Sequence, residues 1–171
     1  MNSRETMEYD VVIVGAGPSG LSAAIKLKQL SKTNNKEISI CIVEKGSEVG
    51  SHILSGAVIE TKSLDELIPN WKDTDIPVKT KAIKDDFLFL TKNKSFKLPT
   101  PPQMNNNGNY IVSLGNVCNW LGNYAENLGV EIYPGFSASE ILFDDEGKVL
   151  GIATNDMGRL KDGSEGPNFE P

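Results

Sequence analysis

The strongest regularity in the chain is a change of hydrophobic period near its start. The residues Val11 to Val14 are all apolar and β-branched, with no polar break. That pattern predicts a strand buried on both faces of a parallel sheet. Gly15, Gly17 and Gly20 follow, and Leu21, Ala24, Ile25 and Leu27 then recur at helical spacing. A second apolar run, Ile38 to Val43, ends at Glu44. Strand, glycine turn, helix and strand together predict a βαβ unit over residues 8–50. Such a unit seats a dinucleotide pyrophosphate at the helix N-terminus, where free N–H groups and the positive dipole end face the ligand. In that reading Gly15 permits the tight turn, Gly17 admits the phosphate to the backbone, and Gly20 lets helix and strand pack closely. Glu44 stands where these units accept hydrogen bonds from the ribose hydroxyls.

The periodicity breaks after residue 48, where the second strand releases the chain toward the ligand crevice. Gly50 and Gly56 there suit close approach to a flat ring, with Ser51, His52 and Ser55 as neighbouring polar groups. His52 is the single histidine. A hydrogen-bonding loop role is the simpler reading of it than proton transfer. Residues 63–71 predict a short helix opened by Ser63, with Glu66 as capping-box partner and Pro69 ending it. Phe87 to Leu90, the polar Lys92-Asn93-Lys94, and Phe96 and Leu98 around Lys97 predict a hairpin. Its rings, leucines and lysines could either pack on their own domain or meet a bilayer interface. Ser113 predicts the cap of a helix whose apolar stripe runs Val117, Trp120, Leu121, Tyr124 and Leu128 and stops at Gly129. Strands 130–133, 139–143 and 149–154 are read as an antiparallel β-meander with a hairpin turned at Asp145-Glu146-Gly147.

The fold class that follows is α/β, a Rossmann-like, glutathione-reductase-like βαβ unit with a β-meander. Residues 51–112 form the ligand-side loop and hairpin, 113–155 the helix and meander, and 156–171 a tail of loop chemistry. The set is incomplete, because a doubly wound sheet needs more parallel strands than these. With 171 residues and a net charge of -6, the chain lacks the clustered cations that nucleic acid requires. The two cysteines, Cys41 and Cys118, have neither metal-ligand nor disulfide spacing. No signal peptide, transit peptide or spanning segment is visible, and a cytosolic start is expected.

Several runs carry a more specific signal than the glycine motif. They are Gly50-Ser-His-Ile-Leu-Ser-Gly-Ala-Val-Ile-Glu60, Leu64-Asp-Glu-Leu-Ile-Pro-Asn-Trp71, Met104-Asn-Asn-Asn-Gly-Asn-Tyr-Ile-Val112, Gly129-Val-Glu-Ile-Tyr-Pro-Gly135 and Gly151-Ile-Ala-Thr-Asn-Asp-Met-Gly158. Nearly the whole chain after Tyr9 resembles the N-terminal part of the electron transfer flavoprotein-ubiquinone oxidoreductase family. The resemblance implies an FAD enzyme with a [4Fe-4S] cluster that takes electrons from reduced electron transfer flavoprotein and passes them to ubiquinone. It implies a peripheral place on the cytoplasmic face of a bacterial inner membrane, or on the mitochondrial inner membrane. Carried over residue by residue, the FAD fingerprint is Gly15, Gly17, Pro18, Ser19, Gly20 and Glu44, with Ser51, His52 and Ser55 near the flavin.

The cluster ligands of that family lie outside this sequence, and neither a catalytic acid, base or nucleophile nor a metal ligand is expected in it. The resemblance also favours the membrane reading of the hairpin. One departure is that many related flavoproteins carry an Arg near Ser113 that reaches the pyrophosphate. The alternatives are a monooxygenase or geranylgeranyl reductase of the same superfamily, or a non-catalytic nucleotide-binding module. The isolated chain is expected to be inactive.

Overall fold

The computed structural model describes residues 5–54, 56–160 and 162–170. Its centre is the expected βαβ unit. Strand β1 (Val11–Val14) leads through the glycine turn into helix α1 (Pro18–Thr33) and returns as β2 (Ile40–Glu44), parallel to β1 with Val11 opposite Ile40 and Val14 opposite Val43. Helix α1 starts with Gly17 as N-cap and Pro18 in the first turn. Pro suits that place, since its missing N–H would have had no intrahelical partner.

The chain then makes β3 (Ala57–Ile59), helix α2 (Lys62–Leu67), β4 (Thr80–Lys81), the hairpin strands β5 (Phe87–Leu90) and β6 (Ser95–Leu98), and β7 (Tyr110–Val112). Helix α3 (Leu114–Asn127) follows, then β8 (Glu131–Pro134), β9 (Ala138–Phe143), β10 (Val149–Thr154), β11 (Met157–Arg159) and β12 (Glu165–Glu170). Strands β3, β7 and β4 form a small antiparallel sheet with β7 in the middle.

Helices α1 and α3 pack together over one face of the parallel sheet. Leu21, Ala24 and Ile25 from α1 and Val117, Cys118, Leu121 and Ala125 from α3 are buried against Ile40 and Ile42 of β2. Of the apolar stripe read from the sequence, Val117 and Leu121 are buried while Trp120, Tyr124 and Leu128 are half-buried at its border, and the helix is closed by Gly129 in a left-handed conformation at φ 85°. Ser113 caps α3 as expected, its Oγ accepting from the Asn116 N–H at 3.4 Å.

Four expectations are corrected. The third parallel strand is β8, which pairs with β2 from Cys41 opposite Glu131 to Glu44 opposite Pro134. The three late strands are therefore no meander, since β9 and β10 form the hairpin alone and β8 belongs to the parallel sheet. Helix α3 is the cause, because it works as a second crossover that returns the chain parallel to β2.

Strand β1 is not buried on both faces. Among the described residues it is an edge of the three-stranded sheet, and Val12 and Val14 are 37% and 60% exposed on the face away from the helices. The short helix begins at Lys62 after Thr61, not at Ser63, and ends before Pro69. Its acid partner is Asp65, which accepts from Thr61 Oγ1 at 3.3 Å and from the buried Trp71 indole N–H at 2.7 Å. Anchoring Trp71 fixes the helix register, and Glu66 is left out of the cap. Finally, the tail read as loop contains the antiparallel pair β11 and β12.

The parallel sheet is also tied along its lower rim. Tyr9, just before β1, donates its hydroxyl to Glu131 Oε2 of β8 at 2.7 Å, and Tyr133 donates to the same oxygen at 2.5 Å. Those hydrogen bonds, Tyr133 first, hold the Glu131 carboxyl below its usual range.

Candidate functional site

The three glycines of the turn have different surroundings. Gly15 has φ 98°, a conformation that side chains disfavour, and its N–H donates to Val43 O at 2.8 Å, so the turn folds back over the end of β2. A Cβ on Gly20 would sit 2.1 Å from Gly15 O and 3.1 Å from Ile13 Cγ2. Only glycine lets α1 lie this close to β1. A Cβ on Gly17 would meet no protein atom within 4 Å. The space beside Gly17 is open, at the mouth of a helix with no acid in its first turn. Its free N–H groups and dipole favour an anion there. Pro18 and Ser19 form the first turn of that helix.

Glu44 closes the floor of the turn. Its Oε2 accepts from the Ala16 N–H at 2.8 Å and its Oε1 from the Gly46 N–H at 2.7 Å. The carboxylate thus joins the glycine turn to the loop after β2, which the sequence alone did not reveal. Each oxygen still has a lone pair to offer a ribose hydroxyl.

The loop after β2 and the start of α3 border an open cleft of about 250 Å³, lined by Glu48, Val49, Gly50, Ser51, Ile53, Ser113, Gly115, Asn116 and Asn119. Gly50 has φ 91°, and a Cβ there would lie 2.5 Å from Gly115 O, so loop and helix touch backbone to backbone. Ser51 lies on this cleft and donates its hydroxyl to Glu48 O at 2.9 Å. His52 is exposed and does not line the cleft. Ser55 lies outside the described residues.

Sequence reasoning missed Gly115, Asn116 and Asn119, because it followed the apolar stripe of α3 and not the opposite side. The available signal was Gly115, Asn119 and Gly122, four and three residues apart on one helix face. Gly122 continues that face against Val49, whose Cγ1 would lie 3.4 Å from an added Cβ.

Residues 2–67 match the model of the Thi4 family. The electron transfer flavoprotein-ubiquinone oxidoreductase of Dictyostelium discoideum is 62% identical over 97% of this chain, and the match covers 27% of that protein. The protein of the same name in Pseudomonas aeruginosa is 56% identical over 94% of the chain and 30% of its own length. The chain thus spans less than a third of these relatives. Among solved structures, a geranylgeranyl bacteriochlorophyll reductase-like protein of Thermoplasma acidophilum superposes on 85% of the chain and 34% of its own, with a TM-score of 0.60 at 18% identity. That likeness concerns the fold, a Rossmann-like α/β unit.

Proposed function

We propose, from the premise that this chain is homologous over nearly its whole length to electron transfer flavoprotein-ubiquinone oxidoreductases, that it seats FAD in an enzyme of that activity. The enzyme takes electrons from reduced electron transfer flavoprotein and delivers them to ubiquinone. The observation that carries this reading is the pairing of the open space at Gly17, before the α1 N-terminus, with the Glu44 carboxylate bound to the same turn. Gly15, Gly17, Pro18, Ser19 and Gly20 frame the pyrophosphate, and Glu44 takes the adenosine ribose. Gly50 and Ser51 face the flavin half across the cleft from Asn116 and Asn119, with His52 as an outlying loop group.

Bound FAD supplies the redox chemistry, accepting and releasing electrons singly or in pairs. The chain's own residues bind and orient it. The α1 N-terminus, through the N–H groups of Gly17, Ser19 and Gly20, neutralises part of the pyrophosphate charge, since those of Gly15 and Ala16 are already donated to Val43 O and Glu44. The Gly50 and Gly115 contact sets the width of the cleft. A [4Fe-4S] cluster does not fit this chain, since such clusters need about four thiolates and the sequence has two cysteines, both buried. Cluster ligation belongs to other parts of the full protein.

The β5 and β6 hairpin is the membrane contact in this reading. Phe87 pairs with Leu98 and Phe89 with Phe96, so the four share one face, and all are exposed. That face supports peripheral attachment; the membrane, bacterial inner from the cytoplasmic side or its mitochondrial counterpart, is carried over from the resemblance.

The test is anaerobic stopped-flow spectroscopy of the full protein. Flavin reduction by reduced electron transfer flavoprotein, followed by reoxidation with a soluble ubiquinone, is the expected result. Flavin that ignores both partners, but is reduced by NADPH and consumes oxygen with an aromatic substrate, would move the protein to the monooxygenases.

A further inference from the structure

The hairpin has four lysines at or beside it, and the structure divides them into two groups. Lys84 and Lys97 both pair with Asp86 at the base of the hairpin, Lys84 at 2.9 Å. Those two cations hold the Asp86 carboxyl below its usual range, Lys97 first. Lys97 stands opposite Leu88, on the face away from the aromatic residues. Lys92 and Lys94 lie at the tip and are exposed. The tip is itself held in shape, because the Thr91 N–H and hydroxyl donate to Lys94 O at 2.8 and 3.0 Å while Thr91 Oγ1 accepts from the Lys94 N–H at 3.0 Å.

Each strand is four residues long, about 13 Å at the usual rise of a strand, against a hydrocarbon layer of about 30 Å. A segment so short cannot span that layer, and the two ammonium groups at its tip oppose running tip-first into hydrocarbon. It can lie along the interface with its rings among the headgroups.

We propose that the hairpin tip recognises the phosphates of anionic phospholipids, with Lys92 and Lys94 as the recognising cations and the Phe87, Phe89, Phe96 and Leu98 face laid flat in the interfacial layer. This rests on the membrane reading above and adds a lipid class and a division of labour to it. Lys84 and Lys97 hold the base of the hairpin through Asp86 and take little part in lipid selection.

The test is co-sedimentation of the full protein with vesicles of phosphatidylcholine alone or mixed with phosphatidylglycerol. Lys92→Gln with Lys94→Gln is expected to weaken binding to the mixed vesicles by roughly 30-fold, from the usual attraction of two lysines to an anionic surface, and to flatten its salt dependence. Binding to phosphatidylcholine should stay as in the parent. Lys97→Gln alone removes the same charge as Lys92→Gln alone, but should cost distinctly less. Equal losses for those two single variants would show a response to net charge and overturn the proposal. Phe89→Ser with Phe96→Ser should abolish binding to both vesicle types. If that variant still binds both, the membrane reading itself fails. If it fails to bind while the lysine pair at the tip proves neutral, only the present proposal falls. Retained flavin absorbance and circular dichroism in each variant exclude misfolding as the cause.

Discussion

Gly17 and Gly20 look interchangeable in a glycine-rich turn, yet the structure assigns them separable duties, and alanine at each tells them apart. In Gly20→Ala the new methyl lies 2.1 Å from Gly15 O, more than an ångström inside van der Waals contact, and 3.1 Å from Ile13 Cγ2. Both obstacles are held in place, one by the turn backbone and one by the sheet, so the first turn of α1 must lift off β1. Overpacking of this kind costs about 1–3 kcal/mol, and the severity of the overlap argues for the upper end. Better helix propensity of Ala returns about 1 kcal/mol. A net loss of roughly 2 kcal/mol lowers the melting temperature by about 4–8 °C for a domain of this size.

Gly17→Ala meets no protein atom within 4 Å, and its backbone at φ -82° and ψ 179° suits any residue. The remaining cost is a poorer N-cap, less than about 1 kcal/mol. Its methyl would instead enter the space assigned to the pyrophosphate, where the same overpacking scale predicts an FAD affinity lower by at least about tenfold. Thermal melts of FAD-free protein and calorimetric titration with FAD read the two effects independently. An FAD-free Gly17→Ala protein that melts as low as Gly20→Ala, or one that binds FAD as tightly as the parent, would refute the assignment.

Two further outcomes follow from the same geometry. Glu44→Gln replaces one of two carboxylate acceptors by a donor facing an N–H, either of Ala16 or of Gly46, and hydrogen bonds to a charged group are worth about 1.5–3 kcal/mol. FAD affinity should fall by about 10- to 100-fold, and a titration within twofold of the parent would deny the carboxylate its place in the seat. Burial pushes the Cys118 thiol up to about 11 from the ordinary 9.0, so the folded state resists the thiolate that the unfolded chain forms readily. Stability from this source is whole below pH 9 and lost as pH rises toward 11. Urea midpoints should decline across that window and do so less in Cys118→Ala, while iodoacetamide labelling of native Cys118 at pH 8, at the rate of a free thiol, would contradict its burial.

What the sequence disclosed was local. The turn at Gly15, the α1 stripe, the Ser113 cap and the hairpin of β5 and β6 each depend on residues a few positions apart, and each is found as read. What it hid was set by distant partners. Strand β8 joins the parallel sheet because α3 carries it back to β2, and no pattern within residues 130–154 reveals that neighbour. The start of α2 moved because Asp65 must meet a buried indole beyond the helix end.

The cleft was hidden for a related reason. Its walls meet where Gly50 touches Gly115, far apart in sequence, and a helix reading that follows apolar residues looks away from the polar face that builds it. Helical periodicity marks the face that must be buried, because desolvation drives it there. The opposite face carries no such obligation, so its Gly and Asn positions acquire meaning only once the loop after β2 is seen to rest on them. The ADP side of the proposed FAD seat, built on a single strand-turn-helix unit, is therefore legible from sequence. The flavin side, built between two separated segments, becomes visible only in three dimensions.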